Sequence, residues 1–203
     1  MSNTPDSPQK RSFKQLFSWR NISNVLFFGV VILFLVNPKA KGWLMQGLMK
    51  VGFFQPDIEQ TAKPLPVSAN VSFRDAKGDT VSLASLQGKV VFINFWATWC
   101  SPCLAEMPSI NSLNQKLSAN KNIVVLMVDI DGEMARSQAF VKKHNYTLPV
   151  YQALNHIPDD LLGRSIPATI ILNKAGQLVF KHDGIADYSG DKMYNYLTKL
   201  AAE

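Results

Sequence analysis

The sequence predicts an α/β domain in which a mixed sheet carries helices on both faces, preceded by a single N-terminal transmembrane helix. Three observations lead to this fold class. Residues 90–144 alternate between apolar runs of strand length and amphipathic runs of helix length, which is typical of strand–helix–strand units. Turn sequences that contain Gly, at 75–79 and 173–176, join pairs of short strands. An uncharged apolar segment lies near the N-terminus.

The apolar segment at residues 21–38 is the predicted anchor. It is an uncharged run of 18 residues, at the lower end of the length that spans a bilayer as a helix. Trp19 and Trp43 suit the two membrane interfaces. A cleaved signal peptide is the rival interpretation, but residues 37–41 lack a small-x-small cleavage pattern. We therefore expect an uncleaved transmembrane anchor after a cytoplasmic tail at 1–20.

The distribution of charge predicts where the large domain is located. Within about 20 residues of the anchor, four basic residues lie on its N-terminal side and three on its C-terminal side, which favours a cytoplasmic N-terminus. The domain is then expected outside the cytoplasm, on the periplasmic side of the inner membrane, where disulfides persist. The first 63 residues carry a net charge of +5, which leaves +1 for the rest of the chain. The charge therefore gives no reason to expect a nucleic-acid partner.

Residues 39–63 are predicted to be a stalk or linker before a folded domain at 64–203. Apolar residues at 42–54 recur at roughly helical spacing with little charge. This part forms either a short helix on the membrane surface or a loosely ordered apolar stalk. Three prolines between residues 55 and 68 suit a semi-extended linker.

The elements of the domain follow from apolar periodicity and turn residues. Strands are expected at 71–74, 80–83, 90–96, 123–128, 149–152, 168–172 and 177–181. Helices are expected at 101–118, 133–144 and 189–201, with a short turn or helical piece at 85–88 and a small helix near 158–162. This order predicts the mixed sheet.

The chain has two cysteines, Cys100 and Cys103, which lie between the buried strand at 90–96 and the helix at 101–118. A zinc site would need two more ligands, and the three histidines are scattered. A structural disulfide that closes so short a loop would constrain the unfolded chain very little. A c-type haem site would need histidine after the second cysteine, where Leu104 stands. Redox exchange of the dithiol is the interpretation that remains, and no metal or cofactor is expected.

The position of the dithiol at a helix start predicts the role of each sulfur. Unpaired N–H groups and the helix dipole lower the pKa of a thiol there. Cys100 should be the more exposed sulfur and attack a substrate disulfide, and Cys103, one turn further on, should resolve the mixed disulfide. Pro102 fixes the first helical turn, and Ser101 adds no charge.

Two runs of sequence resemble the thioredoxin superfamily. Residues 95–103 (FWATWCSPC), followed by Pro108, are similar to its active-site segment, and residues 166–172 (IPATIIL) are similar to its cis-proline strand. Within the superfamily the chain is most similar, over 64–203, to the TlpA/ResA-like membrane-anchored thiol-disulfide oxidoreductases. The resemblance implies a thioredoxin-like fold with an added N-terminal hairpin and an acid just after the second cysteine, here Glu106.

The resemblance also implies a substrate-binding surface. The Ile166–Pro167 bond would be cis, and its loop would lie against the dithiol and offer backbone groups to the substrate chain. Gly184 matches a position where the family keeps a small residue beside the substrate groove, although a simple turn glycine explains it equally well. The expected substrate-binding residues are Trp99, Ser101, Pro102, Ile166, Pro167 and Gly184.

Glu106 is the expected proton-transfer residue. It lies three residues after Cys103 and hence on the same helix face. A buried carboxyl there would have a raised pKa and could exchange protons with Cys103, whereas the alternative is a solvated helix acid. Thioredoxin has a buried aspartate in the strand before the active site, and this chain has Asn94 there. Because Asn94 cannot carry a proton, the departure shifts that task towards Glu106.

The resemblance implies a reductase of disulfides in cysteine-containing proteins, with apocytochromes c as a candidate substrate and a membrane thiol as electron donor. A copper chaperone on the same fold is an alternative, which needs His156 or His182 close to the cysteines. A peroxide-reducing thiol enzyme is a more distant alternative. It needs Thr or Ser and Pro ahead of a lone cysteine, whereas residues 96–99 are WATW.

Overall fold

The computed structural model describes residues 19–37, 47, 56, 64–67 and 70–203. The chain divides into two compact units, residues 1–41 and 42–203. The helices are α1 (Trp19–Val36), α2 (Ser101–Leu117), α3 (Met134–Lys143) and α4 (Asp191–Ala202), with a short 3-10 helix at Ala84–Leu86. The strands are β1 (Leu65–Pro66), β2 (Ser72–Asp75), β3 (Thr80–Ser82), β4 (Val90–Trp96), β5 (Ile123–Asp129), β6 (Val150–Ala153), β7 (Ala168–Leu172) and β8 (Gln177–Asp183).

The first unit contains α1, which coincides with most of the predicted anchor. Its apolar side chains are exposed, as at Val25 and Phe27, which are 72% and 64% exposed. Among the residues described, no helix combines the length and the apolar character that crossing a membrane requires. Residues 42–54, predicted to be either a short helix on the membrane surface or a loosely ordered stalk, lie outside the described residues, apart from Gly47, which is helical.

The second unit is built on one sheet of eight strands in the order β1-β8-β7-β4-β5-β6-β2-β3. β4 and β5 pair in parallel, as do β5 and β6, and the other pairings are antiparallel. The sheet is therefore mixed, as predicted. All seven residues of β4 are buried, because the run VVFINFW is apolar on both sides of the strand and both faces of the sheet are covered.

Helices α2, α3 and α4 of the second unit pack on one face of the sheet, so the prediction of helices on both faces is wrong for them. Phe92, Trp96 and Met127 share a buried cluster with side chains from all three helices. These helix residues include Ile110, Leu113, Val141, Met193 and Leu197. The second cluster contains Leu83, Leu86 and Leu161 instead, so the 3-10 helix and non-helical segments cover the opposite face.

The connectivity explains this one-sided arrangement. β4, β5 and β6 are parallel and adjacent, and α2 and α3 connect them in sequence. Right-handed crossovers that move in one direction across a sheet place their helices on the same face. The sequence shows the alternation of strands and helices but not the spatial order of the strands.

Two smaller elements also differ from the prediction. β1 is a strand that the sequence did not predict; it lies at the start of the predicted domain, where Leu65 pairs with Leu178 of β8. The small helix predicted near 158–162 is a turn, in which the N–H groups of Leu161 and Leu162 donate to the Pro158 carbonyl.

Candidate active site

The two cysteines form a disulfide where β4 gives way to α2. The S–S distance is 2.00 Å and the two Cα atoms are 5.2 Å apart. Cys100 is the N-cap of α2, and its Sγ accepts a hydrogen bond from the Cys103 N–H at 3.3 Å. In this form Cys100 is 4% exposed and Cys103 is fully buried. The first sulfur lies at the helix start, as predicted, and it supplies an acceptor for the Cys103 N–H, which belongs to the first turn of the helix and has no carbonyl partner within it.

The first turn of α2 follows the dithiol directly. Ser101 and Pro102 are half-buried there, and Pro102 stands in the first turn of the helix, where a backbone donor is not needed. Trp99 is 64% exposed beside Cys100. Its indole N–H donates to the Asp131 carboxylate at 2.7 Å, which ties the ring to the loop after β5.

Glu106 is completely buried on α2, so the alternative of a solvated helix acid is wrong. Its Oε1 accepts a hydrogen bond from the Asn94 amide at 2.7 Å, and its Oε2 accepts one from the Ala186 N–H at 3.1 Å. Burial raises the pKa of Glu106 from 4.5 to about 8, against the lowering effect of these two hydrogen bonds. A carboxyl with that pKa can gain and lose a proton near neutral pH.

A buried polar cluster extends from Glu106 across the sheet. The Asn94 amide also donates to the Thr169 hydroxyl at 2.9 Å, and all three side chains are buried. Tyr188 lies nearby. The pKa of its phenol is raised well above the ordinary value, mainly by burial and to a smaller extent by the charge of Glu106. Asn94 therefore holds the carboxyl that the sequence assigned to proton transfer.

The cis-proline loop joins the same region. The Ile166–Pro167 peptide bond is cis, as the resemblance implied, and Ile166 packs against the cluster that contains both cysteines. Gly184 has a φ of +105°, which favours glycine, and its N–H donates to the Pro167 carbonyl at 2.8 Å. Two residues later, the Ala186 N–H donates a hydrogen bond to the Glu106 carboxylate. The segment 184–186 thus connects the cis-proline loop to the buried carboxyl.

Three residues of the site were not found from the sequence: Asp131, Thr169 and Ala186. Asp131 and Ala186 carried no local signal, because their partners lie 32 and 80 residues away along the chain. Thr169 could have been suspected from its place two residues after Pro167 on a buried strand.

The metal-binding alternative receives no support from the described part of the chain. There, no group of three or more His, Cys, Asp or Glu side chains is arranged to hold a metal ion. His156 is exposed, and the ring of His182 stacks on that of Phe180 at 6.5 Å between centroids.

Comparisons with known proteins identify relatives of this chain. Residues 58–181 match the AhpC/TSA family. The thiol-disulfide oxidoreductase ResA of Bacillus cereus (strain ZK / E33L) is 31% identical over 179 residues, covering 87% of this chain and 97% of ResA. The thioredoxin-like protein YneN of Bacillus subtilis (strain 168) is 34% identical over 155 residues, covering 71% of this chain and 91% of YneN.

A solved structure shows the same fold. The thiol:disulfide interchange protein of the thioredoxin family from Chlorobium tepidum TLS superposes with a TM-score of 0.54 at 20% identity. The superposition covers 70% of this chain and 99% of the other. It therefore confirms the thioredoxin-like architecture predicted from the sequence.

Proposed function

We propose that Cys100 and Cys103 reduce disulfide bonds in cysteine-containing protein substrates, because the chain belongs to the AhpC/TSA family and is a ResA-like thiol-disulfide oxidoreductase. One observation carries the proposal. The two sulfurs are bonded at the N-terminus of α2, and the fully buried Glu106 lies three residues beyond the second sulfur. A nucleophile, a resolving thiol and a titratable carboxyl thus share one helical segment.

The reaction begins from the reduced dithiol. The Cys100 thiolate attacks one sulfur of the substrate disulfide, and the other substrate sulfur leaves as a thiolate. Cys103 then transfers its proton to the Glu106 carboxylate. Its thiolate attacks Cys100 Sγ, and the second substrate sulfur leaves as a thiolate. The substrate gains two electrons, the dithiol loses two, and the product is the disulfide-bonded form described above.

Glu106 suits this step because of its proton affinity. A general base works best when its pKa is near the working pH, and burial raises the pKa of Glu106 to about 8. The carboxyl can therefore take the proton from Cys103 in one half of the cycle and release it in the other. Ala186 and Asn94 bond its two oxygens, so the acceptor is held in place.

The substrate chain is proposed to bind along the cis-proline loop and the exposed face of Trp99. Gly184 holds the Pro167 carbonyl through a hydrogen bond of 2.8 Å, and Asp131 holds the Trp99 indole. Ile166 and the first turn of α2, Ser101 and Pro102, complete this surface. Apocytochromes c are a candidate substrate.

We also propose that residues 21–38 attach the domain to a membrane, with the dithiol on the extracytoplasmic side and a membrane thiol as its electron donor. The exposed apolar side chains of α1 support attachment, because such a row of side chains is stabilised by contact with lipid. Fractionation of cells checks this. Recovery in the membrane after alkaline carbonate treatment is expected for an inserted helix, and recovery in the soluble fraction contradicts attachment.

Two serine variants test the dithiol. Cys100→Ser should abolish reduction of a model protein disulfide, because the attacking sulfur is lost. The matched variant Cys103→Ser should trap the mixed disulfide with the substrate, because the resolving sulfur is lost. The covalent adduct is measured by mass spectrometry without reducing agent. Undiminished activity of Cys100→Ser contradicts the proposed function.

A further inference from the structure

We propose that Thr169 is a positioning residue, which acts through Asn94 to hold the Glu106 carboxylate in place for proton exchange with Cys103. The proposal deepens the proposed function and rests on it, because Glu106 is the group that exchanges protons with Cys103. Neither Thr169 nor Asn94 touches the sulfurs in the reaction described above. Their effect is on the orientation and proton affinity of the carboxyl.

The hydrogen-bond geometry assigns a direction to this chain of contacts. The Asn94 amide nitrogen carries two hydrogens, and both are used. One donates to Glu106 Oε1 at 2.7 Å and the other to Thr169 Oγ1 at 2.9 Å. Glu106 accepts on both oxygens, since the Ala186 N–H donates to Oε2 at 3.1 Å. The arrangement therefore fits the ionised carboxylate, which only accepts.

The carbonyl oxygen of the Asn94 side chain does not help to fix the orientation of the amide. Asn94 Oδ1 is buried and has no hydrogen-bond partner among the described residues. The amide is thus held through its nitrogen alone, by Glu106 on one side and Thr169 on the other. Thr169 is the neutral member of that pair and keeps its acceptor oxygen whether or not Glu106 is protonated.

The sheet fixes the distance between Asn94 and Thr169. Asn94 of β4 and Thr169 of β7 are directly opposite in an antiparallel pair, so their side chains lie on the same face and close together. Both are at most 1% exposed. A buried N–H group that loses its acceptor is destabilised, because neither water nor another protein group replaces the lost hydrogen bond. Removal of the Thr169 hydroxyl should therefore turn or shift the amide and weaken its bond to Glu106.

Few titratable groups face Glu106. Tyr188, in the segment before α4, titrates well above neutral pH, and Cys103 on α2 does not titrate while it is disulfide-bonded. β4 and β7 contribute the neutral side chains of Asn94 and Thr169. Of these facing groups, Glu106 is the one that changes charge near neutral pH in the oxidised protein.

The experiment is a carbon-13 NMR titration of the Glu106 carboxyl in the oxidised full chain. Asn94→Leu removes the donor and should raise the midpoint by about one to two pH units, because a hydrogen bond to a charged group is lost. Thr169→Val should raise it by about half to one pH unit, since the donor remains but is held less well. Thr169→Ser keeps the hydroxyl and should restore the wild-type midpoint.

The double variant separates positioning from a general structural effect. If Thr169 acts through Asn94, Thr169→Val adds no further shift in the Asn94→Leu background. An unchanged midpoint in Thr169→Val, or equal shifts in both backgrounds, overturns the proposal. Thr169→Ala carries the same expectation and replaces the valine variant if that one does not fold. The titration needs neither substrate nor free thiols, so its failure is distinct from failure of the Cys100 test.

Discussion

Among the residues that the structure describes, two carboxyls are buried, and the chain uses them differently. Glu106 on α2 accepts from the Asn94 amide and the Ala186 N–H at 2.7 and 3.1 Å. Asp129 at the end of β5 accepts from the Ser137 hydroxyl at 2.7 Å and the Asp131 N–H at 3.0 Å. Each carboxyl therefore has one side-chain donor and one backbone donor, and neither is more than 1% exposed.

The two carboxyls differ in what their donors connect. The donors to Asp129 belong to α3 and to the loop after β5, so this carboxyl joins two elements and positions Asp131, which holds Trp99. Glu106 instead lies three residues from a reactive sulfur. Burial and the number of hydrogen-bond donors therefore do not by themselves distinguish the role of Glu106 from that of Asp129. Under the proposed function, the position relative to the dithiol gives Glu106 a role in proton transfer, whereas Asp129 joins two elements of the fold.

The largest effect expected from this comparison is on catalysis. Glu106→Gln cannot accept the proton of Cys103, so resolution of the mixed disulfide should slow by about 100-fold or more. Stopped-flow measurement of substrate release checks this. The matched variant Asp129→Asn should keep the rate within about threefold, because that carboxyl takes no part in the reaction. A large loss of rate in Asp129→Asn contradicts the distinction between the two carboxyls.

The raised pKa of Glu106 should make the free energy of unfolding depend on pH. Its pKa is raised from 4.5 to about 8 in the folded state, so between these values the folded state binds more protons than the unfolded state. The free energy of unfolding of the oxidised protein should therefore be greatest below about pH 4.5 for this group and fall towards pH 8, by at most about 5 kcal/mol.

Urea unfolding at a series of pH values measures this fall. Glu106→Gln removes the titrating group, and the slope between pH 4.5 and 8 should flatten. A slope that persists unchanged in this variant would assign the dependence to other groups.

The sequence predicted Glu106 better than it predicted what holds Glu106. Three residues separate Cys103 from Glu106 on one helix, and helical geometry alone places them on one face. Thr169 lies 75 residues from Asn94 along the chain, and the two meet because β7 pairs with β4 in one register. A register of distant strands is not encoded in any local spacing, so the pair could not be predicted.

The strands and helices show the same division. The apolar run of β4 and the turn residues at 173–176 are local signals, and both elements are where the sequence placed them. The placement of α2 and α3 on one face depends on β4, β5 and β6 being successive neighbours in the sheet. That order follows from the packing of the whole domain, which local patterns do not contain.

Removal of the Asp129 carboxyl should reduce stability with little effect on the reaction. Asp129→Ala leaves the Ser137 hydroxyl and the Asp131 N–H without an acceptor, and the free energy of unfolding should fall by about 2–3 kcal/mol. Ser137→Ala removes one donor only and should lower it by about 1 kcal/mol. Urea unfolding at constant pH gives both values. Loss of Cys103 resolution in folded Asp129→Ala contradicts a structural role.

The smallest effect is expected at the contact of Asp131 with Trp99, which connects the Asp129 carboxyl to the residue before the dithiol. The indole donates to the carboxylate at 2.7 Å, on the exposed side of the dithiol. Asp131→Ala frees the ring, and KM for a protein disulfide should rise by about threefold with kcat unchanged, because the contact orients a binding surface and not a reacting atom. Asp131→Asn keeps an acceptor oxygen and should stay close to wild type.

The free energy of unfolding should change by less than about 0.5 kcal/mol in either variant, as expected for a surface contact. A fall in kcat in Asp131→Ala would instead place Trp99 in the chemical step, and Asp129, which positions Asp131, would then share in catalysis with Glu106.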